Sequence, residues 1–247
     1  DALHVYVLDL GGRSFGSPRQ LPHLGDIIMP DDEAYEERLN RLMERLEEEL
    51  QVRKVAFSAV DAATLADYNA ARPAETLPAI LVLIDNFAEL KENFGELIDE
   101  RLTPLLRSGR TYGLYFVVTA ADLGGIPSRV LNLFGQRLTF SLADSSSYLD
   151  VVGRGAPAIG DTPGRGLARV DGRPLAFQAA LPVRADEESA GARLRRLAEL
   201  LRAAWAGPTP EPVRILPRVA PLVDVLAAAP LPSDEPEAIL GFDNQLQ

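Results

Sequence analysis

The 247-residue chain has no cysteine and only two histidines, His4 and His23. Disulfides and thiolate metal sites are therefore excluded, and neither histidine has a partner at the spacing of a zinc site. No apolar run approaches the roughly 20 residues that span a bilayer. The sequence therefore predicts neither a disulfide scaffold, nor a zinc domain, nor a transmembrane helix.

Basic charge is also scarce, because 25 lysines and arginines face 36 aspartates and glutamates, for a net charge of −11. An autonomous nucleic-acid-binding domain needs a basic surface for phosphate contacts, so the chain is not expected to be one. DNA threading a ring stays compatible, since a few residues per subunit suffice there. The length suits one large domain, or one domain and a linker.

Strand-like and helix-like segments alternate along the chain. Runs at 3–10, 26–29, 79–84, 114–119 and 137–142 resemble strands, and those that are apolar on both faces are typical of buried parallel strands. An Asp171-Gly172 turn then predicts an antiparallel hairpin over 166–181. This order predicts an α/β three-layer domain with a mostly parallel sheet.

Helical periodicity occupies the intervening segments. We expect Asp31 and Asp32 to cap the first helix. The helix that starts at Glu89 should break near Gly95 and Pro104. The predicted helices cover 35–50, 65–71, 89–106, 127–134 and 186–206.

The C-terminal segment differs in composition from the rest. Eight of the 19 prolines lie after Gly207, which is typical of an extended linker. We therefore expect a domain over residues 1–206 and a proline-rich linker over 207–247. Both ends of the chain have the pattern expected of cuts in a longer polypeptide.

The strongest chemical signal is the apolar run 80–84 followed by Asp85 and Asn86. A strand of this kind delivers a carboxylate to the carboxyl edge of a parallel sheet, where open α/β sheets bind ligands. In a nucleotide hydrolase that carboxylate holds Mg²⁺. On the residues alone, a buried strand ending in a turn-forming Asp-Asn pair is an equal alternative.

Five segments, taken in order, resemble one family. They are the 3–12 strand with its Asp-x-Gly-Gly turn, Tyr68-Asn69, the acidic motif 85–90, the stretch 107–119 that ends in Thr119, and Pro-Gly-Arg-Gly-Leu at 163–167 with Phe177-Gln178. Together they resemble FtsK/SpoIIIE-family P-loop motor ATPase modules, most closely the EccC-type ATPases of type VII secretion. The tail segments 212–217 and 240–243 are similar to the connector between consecutive EccC-type modules.

The resemblance implies a RecA-like domain that binds ATP and Mg²⁺, with Asp85 holding the metal through water. It implies that Thr119 is the sensor residue on the γ-phosphate side. It also implies partner modules in a ring, a secreted protein or DNA as substrate, and a membrane-associated parent. The location would be cytoplasmic, with the membrane's inner face reached through other parts of the parent.

The phosphate-binding loop is missing from this chain, since no G-x-x-x-x-G-K-[ST] pattern occurs. In the family this loop and the first strand precede residue 1. The chain alone would therefore lack the amides and lysine that hold phosphates, and its sheet would have a gap. The parent protein supplies the strand upstream, or another segment fills the slot.

Asn86 stands where active relatives have the glutamate that acts as general base. An amide cannot accept the proton, and losing such a group typically lowers the rate about 10²–10⁴-fold. The run 144–147 also lacks the arginine of the family's Asp-Ser-Arg. Both features favour a module degenerate in hydrolysis.

Further candidate residues are Glu89, one helical turn beyond Asn86, and the arginines Arg110, Arg137 and Arg165. An arginine can enter a neighbour's site in a ring ATPase and stabilise transition-state charge. For each arginine, a solvated surface residue is the plainer reading. Glu89, Arg137 and Arg165 are predicted nucleotide-binding residues.

Three functional hypotheses remain open from the sequence. One is a motor ATPase module for protein secretion or DNA transport, and the second is a non-hydrolysing pseudo-ATPase used for binding or regulation. The third is a nucleotide-independent α/β domain with a chance likeness. Whether the substrate is DNA or protein is undecided at this stage.

Overall fold

A computed structural model gives the architecture. It describes residues 3–13, 15–16, 18–144, 146–182 and 189–215. Ser145 and the connector residues 216–217 and 240–243 lie outside this description.

Two sheets organise the fold. The larger is wholly parallel with strand order β2-β1-β3-β4, and the smaller is antiparallel with order β5-β6-β7. The strands are β1 (Leu3–Asp9), β2 (Leu24–Ile28), β3 (Ala79–Asp85), β4 (Leu114–Val118), β5 (Leu138–Thr139), β6 (Arg165–Val170) and β7 (Arg173–Gln178).

Helices fill the connections that the sequence predicted. They are α1 (Tyr35–Ala59), α2 (Leu65–Ala71), α3 (Phe87–Asn93), α4 (Gly95–Leu97), α5 (Thr103–Ser108), α6 (Ser128–Leu131), α7 (Ser147–Val152) and α8 (Ala190–Ala204), with a π-helical turn at Ile98–Leu102 and 3₁₀ turns at Gly109–Tyr112 and Leu123–Gly125.

The start of α1 corrects one expectation. Asp31 and Asp32 do not cap the helix; its N-cap is Ala34, in a left-handed conformation and without a side-chain hydrogen bond. The Asp32 carboxylate instead accepts hydrogen bonds from the Met29 amide at 2.8 Å and from Arg38 at 2.6 Å. These contacts fix the β2–α1 loop. The Asp32 carboxylate therefore bonds to the loop and to Arg38 instead of capping the first amides of α1.

The segment after β3 is partly as predicted. The helix breaks at Phe94, between α3 and α4, as Gly95 suggested. No break occurs at Pro104, because that proline lies in the first turn of α5, where a missing N–H costs nothing. The irregularity falls earlier, in the π-helical turn, where the Thr103 hydroxyl donates to the Ile98 carbonyl at 2.7 Å.

Side chains of the parallel sheet alternate between two faces, and those of β1 are buried on both. Tyr6 and Leu8 join the larger core with α1, α3 and α5, whereas Val5 and Val7 join a smaller cluster on the other face. Burial on both faces is what a parallel sheet requires. The predicted α/β layering is therefore confirmed for this sheet.

The smaller-cluster face becomes exposed towards β4. Val7, Leu83 and Val117 are register partners on neighbouring strands. Val7 is 2% exposed, Leu83 is intermediate, and Val117 is 48% exposed. Within the described part of the chain, β4 has no partner strand on its outer edge. Among the described strands, the sheet therefore ends at β4 in an apolar edge without a partner.

A buried arginine in α1 contacts the amino-terminal ends of two sheet strands. Arg53 is fully buried and donates to the Tyr112 and Pro78 carbonyls at 2.8 Å each, and to the Glu49 carboxylate at 2.7 Å. These acceptors come from three separate segments. Arg53 therefore fixes α1 against the N-terminal ends of β3 and β4.

The first residues of the proline-rich segment are docked on the body. The Glu211 carbonyl accepts from the Tyr6 hydroxyl at 2.9 Å and from Arg45 at 3.2 Å. The Val213 amide donates to Asp26 at 3.2 Å, and the Val213 side chain joins the larger core. The boundary at 206/207 remains a prediction, but packing against the sheet continues to Val213.

Candidate functional site

The carboxyl ends of β1, β3 and β4 bring together the residues that the sequence singled out. Asp85 ends β3, Asn86 follows it, and Thr119 follows β4. The register pairs Ile84 with Val118, which places Thr119 beside Asp85. The predicted trio of Asp85, Asn86 and Thr119 therefore forms one cluster at the edge where open α/β sheets bind ligands.

Thr119 forms hydrogen bonds with both Asp85 and Asn86. Its hydroxyl donates to Asp85 Oδ1 at 2.6 Å and accepts from the Asn86 amide at 3.0 Å. Its backbone carbonyl accepts from the Phe87 amide at 2.8 Å. The hydroxyl thus fixes the carboxylate of Asp85 and the start of α3 at the same time.

Asn86 occupies a left-handed backbone conformation, with φ of 60° and ψ of 66°. Asparagine tolerates this region better than most residues. Its side-chain amide donates to the Leu10 carbonyl at 3.4 Å. The amide side chain is therefore turned towards the β1 end.

The turn after β1 packs directly on the cluster. A Cβ at Gly11 would lie 2.3 Å from Asp85 Oδ2, closer than real Cβ atoms come to any neighbour. The Leu10 amide also donates to the Asp85 carbonyl at 3.2 Å. A side chain at position 11 would therefore require the Asp85 carboxylate to move from its observed position.

Glu89 lies in the first turn of α3, beside rather than within the trio. Its carboxylate accepts from Asn93 at 2.8 Å. Burial, together with the charge of Glu89, raises the pKa of Tyr35 to about 12. Glu89 therefore lies near the start of α1.

Arg137 and Arg165 lie in the second sheet and are not brought together. Arg137 donates to the Leu131 carbonyl at 3.2 Å and Arg165 to Gln178 at 3.0 Å. Arg137 lies opposite Arg169, so the two arginines are separated by four residues of β6, about 13 Å along the strand. Both guanidinium groups are engaged by local acceptors.

Arg110 lies at the amino-terminal end of the parallel strands, whereas Asp85 lies at their carboxyl-terminal end. It is an exposed residue of the 3₁₀ turn that leads into β4. The two lysines of the chain are also elsewhere, since Lys54 lies in α1 and Lys91 donates to the Gly124 carbonyl at 2.8 Å. No lysine of this chain adjoins the Asp85 carboxylate.

The sequence reasoning missed the contribution of Asp9 and the turn that follows it. Asp9 pairs in register with Asp85 and is 1% exposed. Its Oδ2 accepts from the Phe15 amide at 2.9 Å. The Asp-x-Gly-Gly pattern was visible in the sequence, but only the β1–β3 pairing shows that it contacts Asp85.

Two side chains of the cluster offer oxygen atoms suited to a hard cation such as Mg²⁺. The Asp85 carboxylate and the Thr119 hydroxyl are oxygen ligands of the kind that bind Mg²⁺ directly or through water. The phosphate cradle of backbone amides and lysine is not present in the sequence. In the described part of the chain, no group of three or more acidic, histidine or cysteine residues could hold a metal. The cluster therefore fits a metal that a bound nucleotide also coordinates.

Known proteins resemble this chain in both sequence and fold. No family model matches the chain. The ESX secretion system protein EccC of Geobacillus thermodenitrificans is 30% identical over 220 residues, which cover 87% of this chain and 14% of that protein. The structure of EssC (ATPases 2 and 3) from the same organism matches with a TM-score of 0.81 at 28% identity, covering 91% of this chain and 42% of the other.

The chain is a homologue of the EccC-type secretion ATPases. The resemblance inferred from the five motifs is confirmed, and so is the RecA-like α/β fold. A third match is Thermomonospora curvata EccC (ATPases 2 and 3) in complex with a signal sequence peptide, with a TM-score of 0.74, 25% identity and coverage of 90% and 40%. The chain spans less than a fifth of the length of its curated relatives. No helix in the described ranges has the length and apolarity to cross a membrane.

Proposed function

We propose that the chain is the larger part of one ATPase module of a type VII secretion translocase, and that this module binds Mg·ATP but hydrolyses it slowly. Asp85 holds Mg²⁺ through water, and Thr119 senses the γ-phosphate. Asn86 replaces the general base. The single observation that supports this most is the hydrogen-bonded trio of Asp85, Thr119 and Asn86 at the sheet edge.

A segment outside this chain completes the site. The outer edge of β4, which no strand in the described ranges pairs, is where that segment adds the strand that leads into the phosphate-binding loop. Tyr115 and Val117 of β4 are 41% and 48% exposed. An exposed apolar edge of this kind invites pairing with a further strand. The added loop supplies the phosphate-binding amides and lysine that the chain lacks.

The second sheet also has an open edge among the described strands, at β5. Leu138 and Phe140, at and just beyond β5, are exposed, and β5 pairs only with β6 in the described ranges. A strand inserted beyond β4 would bury more of these two side chains. The module would then form one continuous sheet.

The substrate and partners follow from the relatives. A related EccC binds a signal sequence peptide, so a secreted protein is the proposed substrate rather than DNA, in agreement with the net charge of −11.

The partners are other ATPase modules of the same or neighbouring chains in a ring. Glu89, Arg137 and Arg165 remain proposed nucleotide-site residues, the two arginines acting at a junction between modules. The parent acts on the cytoplasmic side of the membrane.

A second candidate function is that of a pseudo-ATPase that binds nucleotide for regulation without turnover. Asn86 favours it, because the amide is held by the Leu10 carbonyl and cannot take a proton. The two candidates differ only in whether slow hydrolysis occurs.

Binding and turnover should be measured on the module joined to its phosphate-loop segment. We expect Mg·ATP to bind with turnover at least about 100-fold below that of a module that has the catalytic glutamate. Asp85→Asn should weaken binding of Mg·ATP but not of ATP in EDTA, because it removes the metal's carboxylate. Brisk hydrolysis by the wild-type module would contradict the proposal, and undetectable turnover with intact binding would favour the pseudo-ATPase.

A further inference from the structure

We infer that Asp9 is a positioning residue for the nucleotide site, acting on Asp85 and Asn86 through the turn made by residues 10–13 and Phe15. This inference rests on the proposed function, because it assigns a role within the same site. Asp9 itself need touch neither metal nor nucleotide.

The first step is the closure of the turn. Asp9 is almost completely buried, and its Oδ2 accepts a hydrogen bond from the Phe15 amide at 2.9 Å. The backbone between them passes through positive φ at Gly12 and Arg13, of 112° and 68°. A turn with two such residues needs a fixed closure, and the Asp9–Phe15 hydrogen bond provides it.

The second step is the contact of the turn with the site. Leu10 donates its amide to the Asp85 carbonyl and accepts from the Asn86 side chain. Gly11 lies against Asp85 Oδ2, so the carboxylate is held between Gly11 on one side and the Thr119 hydroxyl on the other. If the turn moves, the Asp85 carboxylate loses one of the two groups that fix its orientation.

The turn uses only one of the two carboxylate oxygens of Asp9. Its Oδ1 is buried and has no hydrogen-bond partner among the described residues. The positioning role therefore rests on the single hydrogen bond that Oδ2 accepts from the Phe15 amide, and not on the charge of the carboxylate. Asparagine keeps an oxygen that can accept from the Phe15 amide and removes the buried charge.

The test compares Asp9→Ala with Asp9→Asn in the module joined to its phosphate-loop segment. The affinity for a non-hydrolysable ATP analogue is measured in Mg²⁺ and in EDTA, and amide NMR signals of Asn86 and Thr119 are recorded. Thr64→Ala is the matched control, because it also removes a side-chain acceptor of a backbone amide, that of Asp67 at 3.2 Å in α2.

We expect Asp9→Ala to shift the Asn86 and Thr119 signals and to weaken binding in Mg²⁺ about tenfold, with less than a twofold change in EDTA. Asp9→Asn should restore binding in Mg²⁺ to within about threefold, and Thr64→Ala should change neither readout. Unshifted signals, or equal losses in Mg²⁺ and EDTA, would overturn the inference. If the wild type binds no nucleotide at all, the proposed function itself fails, and the role of Asp9 falls with it.

Discussion

Replacing Asn86 with glutamate should raise the ATP turnover of the completed module by about 10²-fold or more. Asn86 lies between Asp85, the proposed Mg²⁺-holding residue, and α3, and a carboxylate there can accept the proton of the attacking water. Steady-state and single-turnover hydrolysis with Mg·ATP would measure the change. A left-handed conformation is less favourable for glutamate, so the variant should also lose about 1 kcal/mol of stability.

Asn86→Gln is the matched control for this prediction. It has the length of glutamate but no carboxylate, so it should share the stability loss without the gain in turnover. A gain with glutamine, or none with glutamate while Mg·ATP still binds, would show that Asn86 does not occupy the position of the base.

Arg53→Ala should lower the free energy of unfolding by about 3–5 kcal/mol. The change leaves the Tyr112 and Pro78 carbonyls without their donor and opens a cavity beneath α1. It also removes the 2.7 Å ion pair with Glu49. Urea unfolding would give the loss directly, and the melting temperature should fall by about 10 °C.

Arg101→Ala provides the comparison on the same chain. Arg101 is partly exposed, and its ion pairs with Glu44 and Glu47 are 3.7 Å long, so the loss should be about 1 kcal/mol or less. Equal losses for the two variants would show that Arg53 is not the anchor of α1.

The strands near the site were predictable because their side chains carry the signal locally. The apolar run 79–84 and the Asp85 after it identified β3 and its carboxylate, and Thr119 was placed by resemblance. The hydrogen bond between Asp85 and Thr119 was not predictable from periodicity, since it depends on the pairing of Ile84 with Val118 across 34 positions. Long-range register is the information that local patterns lack.

The failed predictions share a physical cause. Aspartate side chains such as Asp31 and Asp32 can cap a helix, but the Asp32 carboxylate instead accepts hydrogen bonds from the Met29 amide and from Arg38. The strand predicted over 137–142 shortens to Leu138–Thr139, which pairs only with β6 in the described ranges. The composition of the proline-rich segment gave no sign that Val213 would enter the core, because that depends on Tyr6, Arg45 and Asp26. In each case a tertiary partner decided the outcome.

The proposed function requires a strand from outside this chain to pair with β4 and complete a nucleotide site. The Thr119 amide donates to the Ile84 carbonyl, so by alternation the Phe116 and Val118 amides point to the open edge. Hydrogen exchange at these two amides should be compared between the chain alone and the module joined to its phosphate-loop segment. The account predicts fast exchange in the chain alone and slowing on the order of 100-fold in the completed module. Equal exchange in both, whether fast or slow, would contradict it.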